Sequence, residues 1–328
     1  MDATYVIMNG EIVSAKNGRV SIMTHGLSYG TGCFEGIRGY WNPDTADIYL
    51  FRLREHFERL HRSCRILHMT LPFTVDQLID QTIELVRKNK FKENVYIRPM
   101  VYKADEIIGV RLHDLQDSMY ILSVPMGDYV STAGLSCGVS SWRRIDDNMI
   151  PARAKVTGGY VNSALAKTEA NLNGFGEAIM LTADGHVSEG SSENIFLFSN
   201  GELHTPAPSE NILLGITRDT IIRLSQYEHG CITHERQIDR TELYIADEIF
   251  LCGTGAQIAP VISVDHRPIG TGEIGPFSRD LQEMYGKVVR GQVPNYYDWL
   301  TPVYGKLPPK VTTAPSVDPL IVTTSANE

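Results

Sequence analysis

Two periodicities alternate along this chain. Leu53, Phe57, Leu60, Cys64 and Leu67 recur at spacings of three and four, which on a helix makes one apolar stripe. A second helix is predicted after Thr74, because Thr74 and Gln77 stand at the spacing of a capping box and Leu78, Ile79, Ile83 and Val86 then face inward. The run Val95-Tyr96-Ile97-Arg98-Pro99-Met100-Val101-Tyr102 reads instead as a strand. Its period of two places Tyr96, Arg98, Met100 and Tyr102 on one face, an odd set of side chains to turn toward water. Residues 5–13 and 47–51 also read as strands.

Glycine, serine and threonine gather around residues 125–135, which reads as a link between two domains. Beyond it, Asp184-Gly185 and Asn200-Gly201 predict hairpin turns flanked by strands over 178–181 and 195–198. A strand follows over 248–252, with helices over 217–227 and 276–290. Past residue 304 the chain is rich in Pro, Thr and Ser and reads as an extended tail. No internal repeat is evident. Strands and helices segregate more than they alternate, so the predicted class is α+β.

Charge and composition narrow the functional classes. A net charge of −9 over 328 residues argues against a nucleic-acid surface, which needs clustered Lys and Arg. No stretch approaches the roughly 20 apolar residues of a membrane helix. The first ten residues have neither a basic start nor an apolar core, so no secretory leader is expected. Five cysteines, Cys33, Cys64, Cys137, Cys231 and Cys252, lie far apart without C-x-x-C pairs and point to reduced thiols in a cytoplasm.

Several chemical signatures are missing, among them the Walker lysine loop and H-E-x-x-H. Gly30-Thr31-Gly32-Cys33-Phe34-Glu35-Gly36 misses dinucleotide spacing by one residue. His56 and His61 are five apart on a helix and share no face, so no metal site is expected. Two glycine-containing turns are more informative. Leu214-Gly215-Ile216-Thr217-Arg218-Asp219 leads into a helix, and Gly253-Thr254-Gly255-Ala256 follows a strand. Each offers backbone N–H groups and a threonine hydroxyl to a phosphate. Either alone is equally a tight turn with a threonine cap; the two together suggest one small phosphorylated cofactor.

Such a cofactor, if pyridoxal, also needs an amine for its aldehyde and an acid for its ring nitrogen. Lys155, in Ala154-Lys155-Val156-Thr157-Gly158-Gly159-Tyr160, has small or neutral neighbours, the setting in which a lysine spends time as the free amine. The candidate acid is Glu189, in His186-Val187-Ser188-Glu189-Gly190-Ser191-Ser192-Glu193-Asn194. Taken singly, a surface lysine and a solvated hairpin carboxylate describe the two residues as well.

In order along the chain, these segments resemble the fold-type-IV aminotransferases, and specifically the branched-chain amino acid aminotransferases. The likeness rests on Tyr29-Gly30-Thr31-Gly32-Cys33-Phe34-Glu35-Gly36-Ile37-Arg38, Arg54-Glu55-His56-Phe57-Glu58-Arg59-Leu60-His61, Tyr96-Ile97-Arg98-Pro99, Ser188-Glu189-Gly190, Gly215-Ile216-Thr217-Arg218-Asp219 and Gly253-Thr254. It implies pyridoxal 5′-phosphate in a cleft between a small α+β domain over 1–124 and a large cofactor-binding domain over 138–304. Residues 125–137 would be the interdomain loop and 305–328 the tail. Lys155 would hold the cofactor as a Schiff base and move the proton, Glu189 would face the ring nitrogen, and Tyr160 the phenolic oxygen. Arg59, Ile216, Thr217 and Thr254 would take the phosphate. Tyr96 with the N–H groups of Gly255 and Ala256 would bind the substrate α-carboxylate. Arg98, helped by Tyr29 and Tyr129, would receive the distal carboxylate of 2-oxoglutarate, and Phe34 would form the wall for a branched side chain. Tyr29 and Val110 would reach across from a partner subunit, making a homodimer that shares its active sites.

The chain departs from the family pattern at Met126, where members often carry Trp, at Arg143-Arg144, and in the extension after Trp299. All three are expected to touch loops and ends rather than the cofactor shell, and they bear on substrate range. Three rivals stay open on these residues: a same-fold enzyme for D-amino acids or (R)-amines, an aminodeoxychorismate lyase-like enzyme, and a non-catalytic protein that binds a phosphorylated ligand without using Lys155.

Overall fold

The computed structural model describes residues 4–127 and 134–307. The first stretch runs through β1 (Tyr5–Met8), β2 (Glu11–Ser14), α1 (His25–Tyr29), β3 (Gly32–Phe34), β4 (Ile37–Asn42) and β5 (Asp47–Phe51). It continues with α2 (Leu53–Ile66), α3 (Val75–Asn89), β6 (Val95–Lys103) and β7 (Asp117–Pro125). The second begins with β8 (Leu135–Arg143), α4 (Tyr160–Leu172), β9 (Glu177–Leu181), β10 (Val187–Gly190), β11 (Asn194–Ser199) and β12 (Glu202–Pro206). Then come α5 (Ile216–His229), β13 (Thr233–Arg236), β14 (Glu248–Gly253), β15 (Gln257–Val264), β16 (Arg267–Pro268), α6 (Pro276–Val289) and β17 (Leu300–Pro302).

These strands make two sheets. The first is antiparallel, in the order β17-β5-β4-β6-β7-β1-β2 with β3 also on β6. The second is mixed, in the order β10-β9-β8-β15-β14-β11-β12-β13 with β16 on β15. Together with the separate helices they give an α+β fold.

Periodicity explains most of this. The stripe on α2 buries Leu53, Phe57, Leu60 and Cys64. On α3, capped by the reciprocal Thr74–Gln77 pair, Leu78 and Val86 are buried while Ile79 and Ile83 pack at the margin. Both helices cover one face of the first sheet, against Ile37, Leu50, Val95 and Ile97. On the other side, Tyr40, Tyr49 and Phe51 share a core with Phe196 and Phe250 of the second sheet and with α5 and α6. That shared core ties the two sheets together by apolar burial.

Two expectations need correction. Residues 5–13 form a hairpin, not one strand: Asn9 (φ 49°) and Gly10 (φ 89°) turn the chain and set Met8 opposite Glu11. Asn-Gly suits that left-handed pair of positions, and the signal was there to be read. The Gly/Ser/Thr-rich link also overlaps regular structure, since β7 runs to Pro125 and β8 starts at Leu135. Much of the link, and of the tail, lies outside the described residues. The Asp184-Gly185 and Asn200-Gly201 turns join antiparallel pairs as expected. No helix among the described residues is long and apolar enough to cross a membrane.

After α6 the chain returns to the first sheet, where β17 pairs with β5. Its exit is fixed by the buried Asp47 carboxylate, which accepts from the N–H groups of Ile48 (2.7 Å), Val303 (3.0 Å), Tyr304 (2.7 Å) and Gly305 (2.8 Å). Asp47→Ala strands these donors, and a hydrogen bond to a charged group contributes about 1.5–3 kcal/mol. Urea unfolding of the variant is expected to show a stability loss of at least that size, and an unchanged midpoint would refute the anchor.

Candidate active site

Strand pairing places Lys155. The segment before α4 runs alongside β3: Phe34 N–H donates to Lys155 O (3.1 Å), Thr157 N–H to Gly32 O (2.9 Å) and Gly158 N–H to Gly30 O (3.2 Å). A residue with a side chain could not replace Gly30, whose φ is +65° and whose added Cβ would lie 2.8 Å from Gly158 Cα. Because β3 also pairs with β6, with Phe34 opposite Met100, Lys155 is brought beside Tyr96, Arg98 and Met100. All of these line one cavity of about 790 Å³. The Lys155 ammonium stands 5.3 Å from the Phe34 ring and 5.5 Å from the Tyr160 ring.

Glu189 enters the same cavity from β10. Its Oε1 meets Arg144 Nη2 at 2.8 Å, while Oε2 accepts from Asn194 Nδ2 (3.0 Å) and Leu213 N–H (3.1 Å). Burial pushes this carboxyl above its usual range, and Arg144 is the group that pulls back most. The expectation that Arg143-Arg144 lies away from this acid is therefore wrong for Arg144. A charge pair between a strand end and a distant hairpin leaves no local sequence pattern.

Arg59 projects from α2 and is itself buried. Its Nε and Nη2 donate to the two Glu35 oxygens at 2.7 Å each, and Nη1 to Leu214 O at 2.8 Å. His56 Nδ1 donates to Glu35 Oε2 at 2.8 Å. A guanidinium has five N–H donors, so one on Nη1 and one on Nη2 are left for another acceptor. Burial alone would raise Glu35, but the Arg59 charge and hydrogen bonds outweigh it and hold the carboxyl down at about 2. Burial pushes His56 below its usual value, so the ring donates as the neutral imidazole. Glu35 and His56 were missed as partners, although His56 stands three residues before Arg59 on one helix face.

Next to Arg59, α5 begins at Gly215 without a side-chain cap, so its first N–H groups are available. Ile216, Thr217, Thr254 and Gly255 line the same cavity. The β14–β15 turn is held from behind by the buried Arg38, which donates to Gly255 O (3.0 Å) and to Met126 O (3.3 Å). Since a peptide C=O and its N–H point opposite ways, this turns the Ala256 N–H away from Arg38; the Ala256 side chain is buried and off the cavity.

Tyr96 and Arg98 share a face as the strand period predicts, and Arg98 donates from Nε (3.2 Å) and Nη2 (2.9 Å) to Tyr96 Oη. The Arg98 guanidinium lies 4.9 Å from the Phe34 ring centre. Tyr120, Leu122 and Val124, alternating on β7, extend this wall; the same period of two would have found them. Tyr29 and Val110 are not in this cavity. Both are exposed: Gly109 N–H donates to Tyr29 Oη (3.2 Å), and the neighbouring Val110 is 89% exposed. Tyr129 lies outside the described residues.

A lysine, a buried acid and a set of anion donors around one cleft define an enzyme site in an α+β scaffold. The model of the class IV amino-transferases matches residues 32–264, and the chain belongs to that family. It is 48% identical over 303 residues to the "Probable branched-chain-amino-acid aminotransferase" of Aquifex aeolicus, covering 92% of this chain and 97% of that one. The solved branched-chain aminotransferase of Thermoproteus uzoniensis, crystallised with norvaline, superposes with a TM-score of 0.89 at 42% identity, over 92% of this chain and 100% of that one. The holo, PLP-form enzyme of Thermobaculum terrenum gives 0.88 at 39% identity, over 92% and 98%.

The Glu35–Arg59 pair has a pH signature. A carboxyl whose folded pKa is depressed stabilises the fold above its unfolded pKa and loses that contribution as pH falls through the folded value. For Glu35 the window runs from 4.5 down to about 2 and is worth about 3 kcal/mol. Urea unfolding is expected to show the wild type's advantage over Glu35→Gln shrinking across that window. A constant difference between the two proteins would contradict the assignment.

Proposed function

We propose that this chain is a pyridoxal-phosphate-dependent aminotransferase that takes the amino group of L-leucine, L-isoleucine or L-valine and passes it to 2-oxoglutarate, in two half-reactions through one pocket. The observation that carries this reading is the convergence of Lys155, Glu189, Arg59 and the uncapped start of α5 on a single cavity. The residues fit the cofactor. Arg59 has two N–H groups to spare and α5 offers more, which suits a phosphate dianion. Glu189 supplies an acceptor for a protonated ring nitrogen and Tyr160 a donor for the phenolic oxygen. Bound pyridoxal phosphate supplies the electron sink that stabilises negative charge at the substrate α-carbon.

The chain's own groups then divide the work. Lys155 Nζ would hold the cofactor through its aldehyde carbon, with loss of water, and as the free amine would carry the proton to and from the substrate α-carbon. Ile216, Thr217 and Thr254 join Arg59 around the phosphate. Tyr96 Oη, made a better donor by the Arg98 N–H groups it accepts, holds the α-carboxylate with the Gly255 and Ala256 N–H groups. Arg98 also receives a distal carboxylate, and Phe34, Met100, Leu122 and Val124 give an isobutyl or isopropyl group its apolar surface. We assign Tyr29 and Val110, exposed on this chain, to the cavity of a partner subunit, so the working unit is a homodimer.

Two experiments follow. Assayed against 2-oxoglutarate, L-leucine, L-isoleucine and L-valine are expected to be far better donors than D-alanine or (R)-1-phenylethylamine; the reverse order would overturn the substrate assignment. Arg98→Leu is expected to raise KM for 2-oxoglutarate and glutamate by about tenfold or more, the worth of one charge-assisted hydrogen bond, with leucine much less affected. Equal losses for leucine and glutamate would mean that Arg98 serves the α-carboxylate instead.

A further inference from the structure

Among the described residues, Arg144 is the one cation in contact with Glu189, and it belongs to neither the phosphate cup nor the substrate wall. It leaves β8 with its backbone N–H on Leu181 O (2.8 Å) and its Nε on Asn211 O (3.3 Å), which fixes the direction of the side chain. Its Nη2 then meets Glu189 Oε1 at 2.8 Å, within the cavity wall. Asn194 and the Leu213 N–H occupy Oε2, so both carboxylate oxygens are gripped from different elements and the group cannot rotate freely. We propose that Arg144 is a positioning residue for the cofactor's ring nitrogen, acting only through Glu189.

The inference rests on the assignment of Glu189 to that nitrogen. Its physical content is a balance. The Glu189 carboxyl is buried, and an isolated buried acid takes up a proton. A protonated Glu189 would offer the ring nitrogen a hydrogen where it needs an acceptor. Among the charged groups that act on Glu189, Arg144 opposes burial most, ahead of Lys155 on the segment before α4 and Arg218 on α5, while Arg59 on α2 also feels its charge. Lys155 is reserved for the cofactor's carbonyl carbon, and Arg218 and Arg59 are each committed to another carboxylate, Glu235 and Glu35. Arg144 is left as the counter-charge that stays in direct contact through the reaction.

The test is a pH titration of the visible absorbance of the holoenzyme, a reading of the cofactor's proton equilibria and not of turnover. Arg144→Met is expected to shift that titration by about one pH unit or more, a tenfold change, in the same direction as Glu189→Gln. Arg144→Lys, which keeps the charge, is expected to restore most of it, and Arg144→Gln serves as the neutral variant if the Met protein does not fold. Combined with Glu189→Gln, loss of Arg144 is expected to add nothing. A wild-type titration in the neutral Arg144 variants beside an altered one in Glu189→Gln overturns the inference alone. So does a further shift when a neutral Arg144 variant is added to Glu189→Gln. An unaltered titration in Glu189→Gln overturns the reading of Glu189 and the inference with it.

Discussion

The pairing of β3 with the segment that carries Lys155 is the contact on which the site depends. It is short, and it joins a strand of the first sheet to the segment that links β8 of the second sheet to α4. Through Phe34 and Lys155 on one side and Phe34 and Met100 on the other, it sets the lysine against the Tyr96–Arg98 face. The segment then enters α4, and the cleft is closed behind it by β10 and the start of α5. Backbone hydrogen bonds are suited to this task because each fixes a distance and a direction, whereas apolar packing alone would let the sheets slide. The shared core of Tyr40, Tyr49, Phe51, Phe196 and Phe250 supplies the adhesion; the β3 pairing supplies the register.

A second constraint is charge. Arg59, Arg144, Lys155 and Glu189 line the cleft, and Glu35 lies buried against Arg59. Each buried charge is costly unless paired, and the chain pairs Arg59 with Glu35 and Arg144 with Glu189. Arg59 is thereby oriented as well as neutralised, with the His56 ring bracing the carboxylate that holds it. What is left to meet an anion is a pair of aimed N–H groups and a helix start rather than an uncompensated cation. This arrangement favours geometry over raw attraction.

Much of this was legible in the sequence, for reasons that differ by element. The helices α2 and α3 and the Tyr96–Arg98 face follow from periods of 3.6 and 2, which need only local information. The α5 start and the Gly253-Thr254 turn were visible as glycine punctuation. Lys155 and Glu189 could be nominated from their neighbours, but only the resemblance separated them from a surface lysine and a solvated hairpin carboxylate. Partnerships across the fold were not legible. Arg144 with Glu189 and Arg38 with the Gly255 carbonyl join residues 45 and 217 positions apart in the chain, and no periodicity connects such pairs. The Asn9-Gly10 hairpin was different: its signal was local and was overridden by the apolar run around it.

The roles proposed for the site all turn on Lys155 being the amine that holds the cofactor. Borohydride reduction of the holoenzyme fixes that bond permanently, and peptide mass spectrometry then reads where it was. A pyridoxyl group on the peptide containing Lys155, and on no other lysine, is the predicted result. Its appearance on a different lysine, or cofactor that washes away after reduction, would contradict the site described for this chain.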